Sequence, residues 1–157
     1  MAIPKHQAPA DGSGGDPNVP AAPREQSVGL VGLVDDDDQV CAALGDGLEL
    51  LNIASASFGS AEAMLQAVVP RQGLLWLRGA DGDCALLAAA VIDLHLPGIH
   101  GCELARRLLL VSPDLRVVLI TAAHEDERVP LCGDLDAAIW LKKPFALDDL
   151  ERALLPG

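Results

Sequence analysis

Apolar runs and helix-period patterns alternate along this chain, and four of the runs end on a polar group. Val31-Gly32-Leu33-Val34 leads into Asp35 and Asp36. Ala90-Val91-Ile92 leads into Asp93. Val117-Val118-Leu119-Ile120 leads into Thr121. Ala138-Ile139-Trp140-Leu141 leads into Lys142, Lys143, Pro144 and Phe145. Short apolar runs bounded by turn residues fit strands buried on both faces, as in a parallel sheet. The pattern predicts strands over 28–34, 52–58, 88–93, 116–121 and 137–142.

Helices are predicted between them. Over 38–51, Cys41, Leu44, Leu48 and Leu51 share one face, and Asp37 or Asp38 is placed to cap the exposed N–H groups. Gly45 and Gly47 weaken this helix by about 1 kcal/mol each relative to Ala. Ser60 is a candidate N-cap for a second helix. Over 100–111, Leu104, Leu108 and Val111 share a face, and Ser112-Pro113-Asp114 ends the pattern. A weak helix over 125–135 is interrupted by Pro130 and Gly133, and a last one spans 147–155. The stretch 70–84 fits a helical turn, a short hairpin or a self-packed loop equally. Strands alternating with helices imply an α/β fold, a doubly wound five-stranded parallel sheet with helices on both faces.

Composition narrows this picture. Of 157 residues, half are hydrophobic but only 3% are aromatic, so the core must be aliphatic. Residues 1–27 carry no periodic apolar pattern and are expected to be a disordered tail, leaving one domain over 28–157. The net charge of −12 disfavours direct nucleic-acid binding, which needs basic clusters, and is compatible with cations and basic protein surfaces. Cys41, Cys84, Cys102 and Cys132 form no Cys-x-x-Cys pair and are expected as reduced thiols in a cytoplasmic protein. The N-terminus has no apolar core of a signal peptide, and no run of about 18 apolar residues suggests a membrane span.

Parallel strands bring all their C-terminal ends to one edge, so Asp35, Asp36, Asp93, Thr121 and Lys143 should meet there. Like charges about 4 Å apart repel by roughly 4 kcal/mol at an effective dielectric of 20. Three carboxylates therefore call for a cation or shared protons, and hard oxygen donors suit Mg²⁺. With a lysine and a hydroxyl added, the set suits phosphoryl transfer, in which a carboxylate is a competent nucleophile.

In these residues the sequence resembles the receiver domain of bacterial two-component response regulators. The resemblance rests on Val34-Asp35-Asp36, Val91-Ile92-Asp93 with Pro97-Gly98 and Gly101, Ile120-Thr121-Ala122 and Lys143-Pro144-Phe145, and it covers about 28–155. It implies a flavodoxin-like receiver fold and a phosphoryl group accepted by Asp93 from a histidine kinase or phosphotransfer protein. It also implies Mg²⁺ held directly by Asp36, through water by Asp35, by Asp93 and by the backbone carbonyl of His95. Thr121 and Lys143 would hold the phosphoryl oxygens, Trp140 would occupy the switch position, and the Lys143–Pro144 bond would be cis. The interval from Asp36 to Asp93 exceeds the family's usual one by roughly a dozen residues, which marks 70–84 as an insertion. Trp stands where Tyr or Phe is usual, and Asp136-Ala137 replaces the usual Gly-Ala.

The expectation is a stand-alone switch, not an enzyme acting on other substrates, that signals by binding a downstream protein. Two rivals are a receiver-shaped adaptor that works without phosphorylation and a phosphatase of the haloacid-dehalogenase type, with Asp35 as nucleophile and Asp37 as acid–base.

Overall fold

A computed structural model describes residues 29–122, 132–133 and 135–155. The tail expected at 1–27, and most of the weak helix expected over 125–135, lie outside the described residues.

The strands are β1 (Leu30–Val34), β2 (Ser55–Phe58), β3 (Val68–Arg71), β4 (Leu74–Arg78), β5 (Cys84–Asp93), β6 (Arg116–Thr121) and β7 (Ile139–Lys142). The helices are α1 (Asp38–Leu50), α2 (Ala61–Ala67), α3 (Gly101–Val111) and α4 (Leu147–Leu154). Strands β2, β1, β5, β6 and β7 run parallel in that order, the five expected from the pattern.

Period-2 alternation divides the core. Val34, Ala90, Ile92, Val117 and Leu119 face Ala61 and Met64 of α2 and Leu104, Ala105 and Leu108 of α3. Val31, Leu33, Ala89, Val91, Val118 and Ile120 face Leu48 of α1 and Leu150, Ala153 and Leu154 of α4. Both faces of each central strand are therefore covered, which is why these strands read as continuous apolar runs rather than alternating ones.

Caps fix the helix starts. The Asp37 carboxylate accepts from the Gln39 N–H at 2.9 Å, and the Ser60 hydroxyl oxygen accepts from the Ala63 N–H at 3.1 Å. His100 caps α3 through Nδ1, which accepts from the Cys102 N–H at 3.2 Å.

Three expectations need correction, and one left open is decided. The second strand begins at Ser55, because Asn52 adopts a left-handed φ of 60° in the turn that ends α1. The third expected strand starts at Cys84 rather than 88, because its first residues pair antiparallel with β4. Strands β3 and β4 form a hairpin turned through Gln72 and Gly73, both at positive φ, so the ambiguous stretch is a hairpin that lengthens the sheet. Val111 does not share the burial of Leu104 and Leu108. It is 38% exposed, because α3 ends there and the last turn leaves the sheet.

The cysteines also differ. Cys41 and Cys84 are free, but Cys102 and Cys132 form a disulfide with Cα atoms 5.6 Å apart. The two are 30 residues apart in sequence and share one buried cluster, so their meeting is a product of packing that local spacing does not reveal.

Candidate functional site

Ladder bonds beyond the strand ends assemble the site. The Leu94 N–H donates to the Ile120 carbonyl at 2.9 Å, continuing the β5–β6 ladder past Asp93. The Lys143 N–H donates to the Thr121 carbonyl at 2.9 Å, continuing β6–β7 past Lys142. The Asp35 N–H donates to the Phe58 carbonyl at 3.1 Å, continuing β1–β2. Since Val34 is in register with Ile92, Asp35 emerges beside Asp93.

Carboxylate oxygens of Asp35, Asp36 and Asp93 all lie within 4.8 Å of one another. Asp35 is buried, Asp93 half-buried and Asp36 exposed. Lys143 Nζ sits between the first two, 3.4 Å from Asp35 Oδ2 and 3.9 Å from Asp93 Oδ2. Asp35 Oδ1 accepts from the Asp37 N–H at 2.9 Å, and its backbone carbonyl accepts from the Cys41 thiol at 3.5 Å. The His95 N–H donates to Asp93 Oδ1 at 3.4 Å. Thr121 is buried at the end of β6, in register with Lys142. Trp140 is half-buried on β7, opposite Leu119, and packs against the α2/α3 side of the core. The Lys143–Pro144 bond is cis, as the resemblance implied.

The electrostatics follow from burial and neighbours. Burial pushes the Asp93 carboxyl above its usual range; Lys143 opposes this, Asp35 and Asp36 add to it, and the His95 N–H opposes it. Burial likewise raises the Cys41 thiol, with Asp35 acting in the same direction.

Asp35, Asp36, Asp93, Thr121 and Lys143 thus stand at one sheet edge, with Trp140 farther back along β7. Asp37, the acid–base of the phosphatase reading, instead directs its carboxylate to the α1 cap. Sequence reasoning missed His100, whose ring meets that of His95 edge-to-face with centroids 6.0 Å apart. Burial lowers the His100 pKa and His95 lowers it further, while Asp93 acts the other way. It also missed Glu62, which reaches the loop after Asp93 from α2. Neither residue carries a periodic or strand-end signal.

The profile of the response regulator receiver domain matches residues 31–155. The chain belongs to this family. The receiver is 32% identical over 122 residues to the C4-dicarboxylate transport transcriptional regulatory protein DctD of Rhizobium meliloti (strain 1021), covering 77% of this chain and 23% of the relative. It is 36% identical over 118 residues to the transcriptional regulatory protein FixJ of Azorhizobium caulinodans, covering 73% of this chain and 48% of FixJ. The receiver therefore spans less than half the length of either. In fold it is similar to the BeF3-activated DrrB receiver domain, with a TM-score of 0.62, 23% identity and coverage of 82% and 98% of the two chains. It is also similar to the chemotaxis protein CheY4 of Vibrio cholerae, with a TM-score of 0.63, 17% identity and coverage of 82% and 97%. The chain is accordingly a signalling receiver domain of the two-component type. Among the described residues, no helix is long and apolar enough to cross a membrane.

Proposed function

We propose that this receiver accepts a phosphoryl group on Asp93 from a histidine kinase or histidine phosphotransfer protein and signals by binding a downstream protein. The observation that carries the reading is the convergence of Asp35, Asp36 and Asp93 around Lys143 at the C-terminal edge of a parallel sheet. Three hard oxygen donors within a few ångströms, one of them exposed, fit Mg²⁺, which keeps several waters and shares phosphate oxygens. Asp36 and Asp93 would hold the ion directly, Asp35 through water, and the His95 carbonyl would supply a backbone ligand. Bound there, the ion would supply neutralisation of charge on the phosphoryl oxygens.

The chain's own groups do the rest. A carboxylate oxygen of Asp93 forms a bond to phosphorus while the bond from phosphorus to the donor's imidazole nitrogen breaks. The imidazole takes up a proton as it leaves. Lys143, already beside Asp93, balances charge on the transferred group, and the Thr121 hydroxyl donates to one of its oxygens. Those contacts exist only in the phosphorylated state, so they can favour a second arrangement of the loops, reported by Trp140. A ratio moved from 1:99 to 99:1 requires about 5.5 kcal/mol of differential interaction. A few charge-assisted hydrogen bonds supply energy of that order.

The test is treatment with acetyl phosphate and Mg²⁺. Wild type should give an acid-stable, base-labile phosphate adduct by mass spectrometry. Asp93→Asn should give none, because an amide is not a nucleophile. An adduct that persists at the same level in Asp93→Asn would remove Asp93 as the acceptor.

A further inference from the structure

The loop between β5 and α3, residues 94–100, carries the His95 carbonyl and is pinned at several points. The His95 N–H donates to Asp93 Oδ1 at 3.4 Å. The Gly101 N–H donates to the Leu94 carbonyl at 3.1 Å. The Ile99 N–H donates to Glu62 Oε2 at 3.1 Å, across 37 residues of sequence. A further bond, from the Leu94 N–H to the Ile120 carbonyl at 2.9 Å, holds the first residue of the loop to β6. Of these ties, the one from Glu62 is made by a side chain from outside the loop and its flanking elements.

Glu62 is held firmly for this task. It sits in the first turn of α2, between the Ser60 cap and Met64, and its neighbour Ala61 is completely buried, as is Met64. The loop is shaped to receive it. Gly98 has φ +75°, and a Cβ there would collide with Glu62 Oε2. The conformation demands glycine at this position, and the Glu62 carboxylate occupies the space that a side chain there would take. The second carboxylate oxygen, Oε1, is buried and has no hydrogen-bond partner among the described residues. Leaving a buried acceptor unpaired is unfavourable. An apolar residue of similar length would fill the same space without that cost, so the acid is explained by the bond it makes to Ile99.

We infer that Glu62 is a positioning residue of phosphoryl acceptance: by holding the Ile99 amide it fixes the loop that presents the His95 carbonyl to the metal. This rests on the Mg²⁺-dependent reading given above. Glu62 touches neither the reacting atoms nor the ion. It acts through the loop backbone, as outer-shell partners do when they orient metal ligands. The feature recognised is an oxygen acceptor, not a charge, so glutamine can substitute where methionine cannot.

The experiment compares wild type, Glu62→Met and Glu62→Gln, each over the full chain. Mg²⁺ affinity is measured by calorimetry, and exchange of the Ile99 amide by hydrogen–deuterium exchange. Glu62→Met should weaken Mg²⁺ binding about tenfold, at the lower end of the range for outer-shell partners, and should speed exchange at Ile99. Glu62→Gln, with its amide oxygen toward Ile99, should restore both to within about twofold of wild type. Wild-type Mg²⁺ affinity in Glu62→Met overturns the inference, and so does a Glu62→Gln variant as impaired as Glu62→Met. Should Glu62→Met fail to fold, the glutamine variant alone decides: a tenfold loss there counts against the acceptor role. A wild-type protein that binds no Mg²⁺ overturns the parent reading instead, and that outcome is separable because it appears before any variant is compared.

Discussion

At the scale of single residues, Asp93 combines two opposing demands. Burial favours its neutral form, while nucleophilic attack requires the anion. In the metal-free protein its raised pKa gives a stabilising contribution that is fully present below the unfolded value, near 3.8. That contribution is lost as pH rises through the folded value, because the native state then binds no more protons than the unfolded one. Asp93→Asn has no such titration. Without Mg²⁺, the melting temperature of Asp93→Asn relative to wild type should therefore climb as pH rises above about 4 and level off once the folded carboxyl has ionised. A constant offset across a pH series of thermal melts would show that Asp93 is not perturbed by its setting. Asp35 and Asp36 are adjacent in sequence but not equivalent. Asp35 is buried and holds the Asp37 N–H and Lys143, whereas Asp36 is exposed. Asp35→Ala should cost about 1–3 kcal/mol, since it leaves the Asp37 N–H without its acceptor. Asp36→Ala should leave stability unchanged or slightly higher, because it removes like charge. Urea unfolding of the two variants checks the contrast.

At the scale of elements, the β3–β4 hairpin and β7 carry the consequences. The hairpin is part of the core and not an appended arm. Leu75 and Leu77 are 1% and 3% exposed and join the cluster beneath α2 and α3. Leu75→Ala should destabilise the protein by about 2–4 kcal/mol, the usual range for a fully buried leucine. A loss under 1 kcal/mol in chemical denaturation would mean that the hairpin packs loosely. Strand β7 carries Trp140, whose bulk makes an inward turn toward the space near Thr121 costly, typically 1–3 kcal/mol for overpacking. The inward shift in the activated state should accordingly be incomplete. In a Trp76→Phe background, beryllofluoride with Mg²⁺ should still change the emission of Trp140, and Thr121→Ala should shrink that change. Unaltered emission at a saturating concentration of the mimic would remove Trp140 as the reporter.

For the whole molecule, the net charge of −12 and the carboxylate cluster act together. Any cation relieves the diffuse repulsion by screening, but only a bound one stabilises by mass action. Mg²⁺ at about 100 times its dissociation constant should add about 2.7 kcal/mol. Thermal melts should therefore rise more with MgCl₂ than with NaCl of equal ionic strength, and Asp36→Ala should erase the difference between the salts. Equal shifts in wild type would leave only screening. The chain also spans less than half the length of relatives such as DctD and FixJ, whose names join the receiver match to transcriptional regulation.

The sequence by itself determined the parallel core and the contents of the site. Strands buried on both faces must be apolar along their whole length, and a polar residue is tolerated only where they emerge. That rule marks Asp35, Asp93, Thr121 and Lys143 without any coordinates. Tertiary structure alone decided the features that depend on a partner distant in sequence. The antiparallel use of Cys84–Leu86 depends on β4, because an apolar run looks the same in either pairing direction. The disulfide of Cys102 with Cys132 and the bond from Glu62 to Ile99 depend on how α2 and α3 pack over the sheet. Local patterns record what one element buries, and they are silent on which residue of another element it meets.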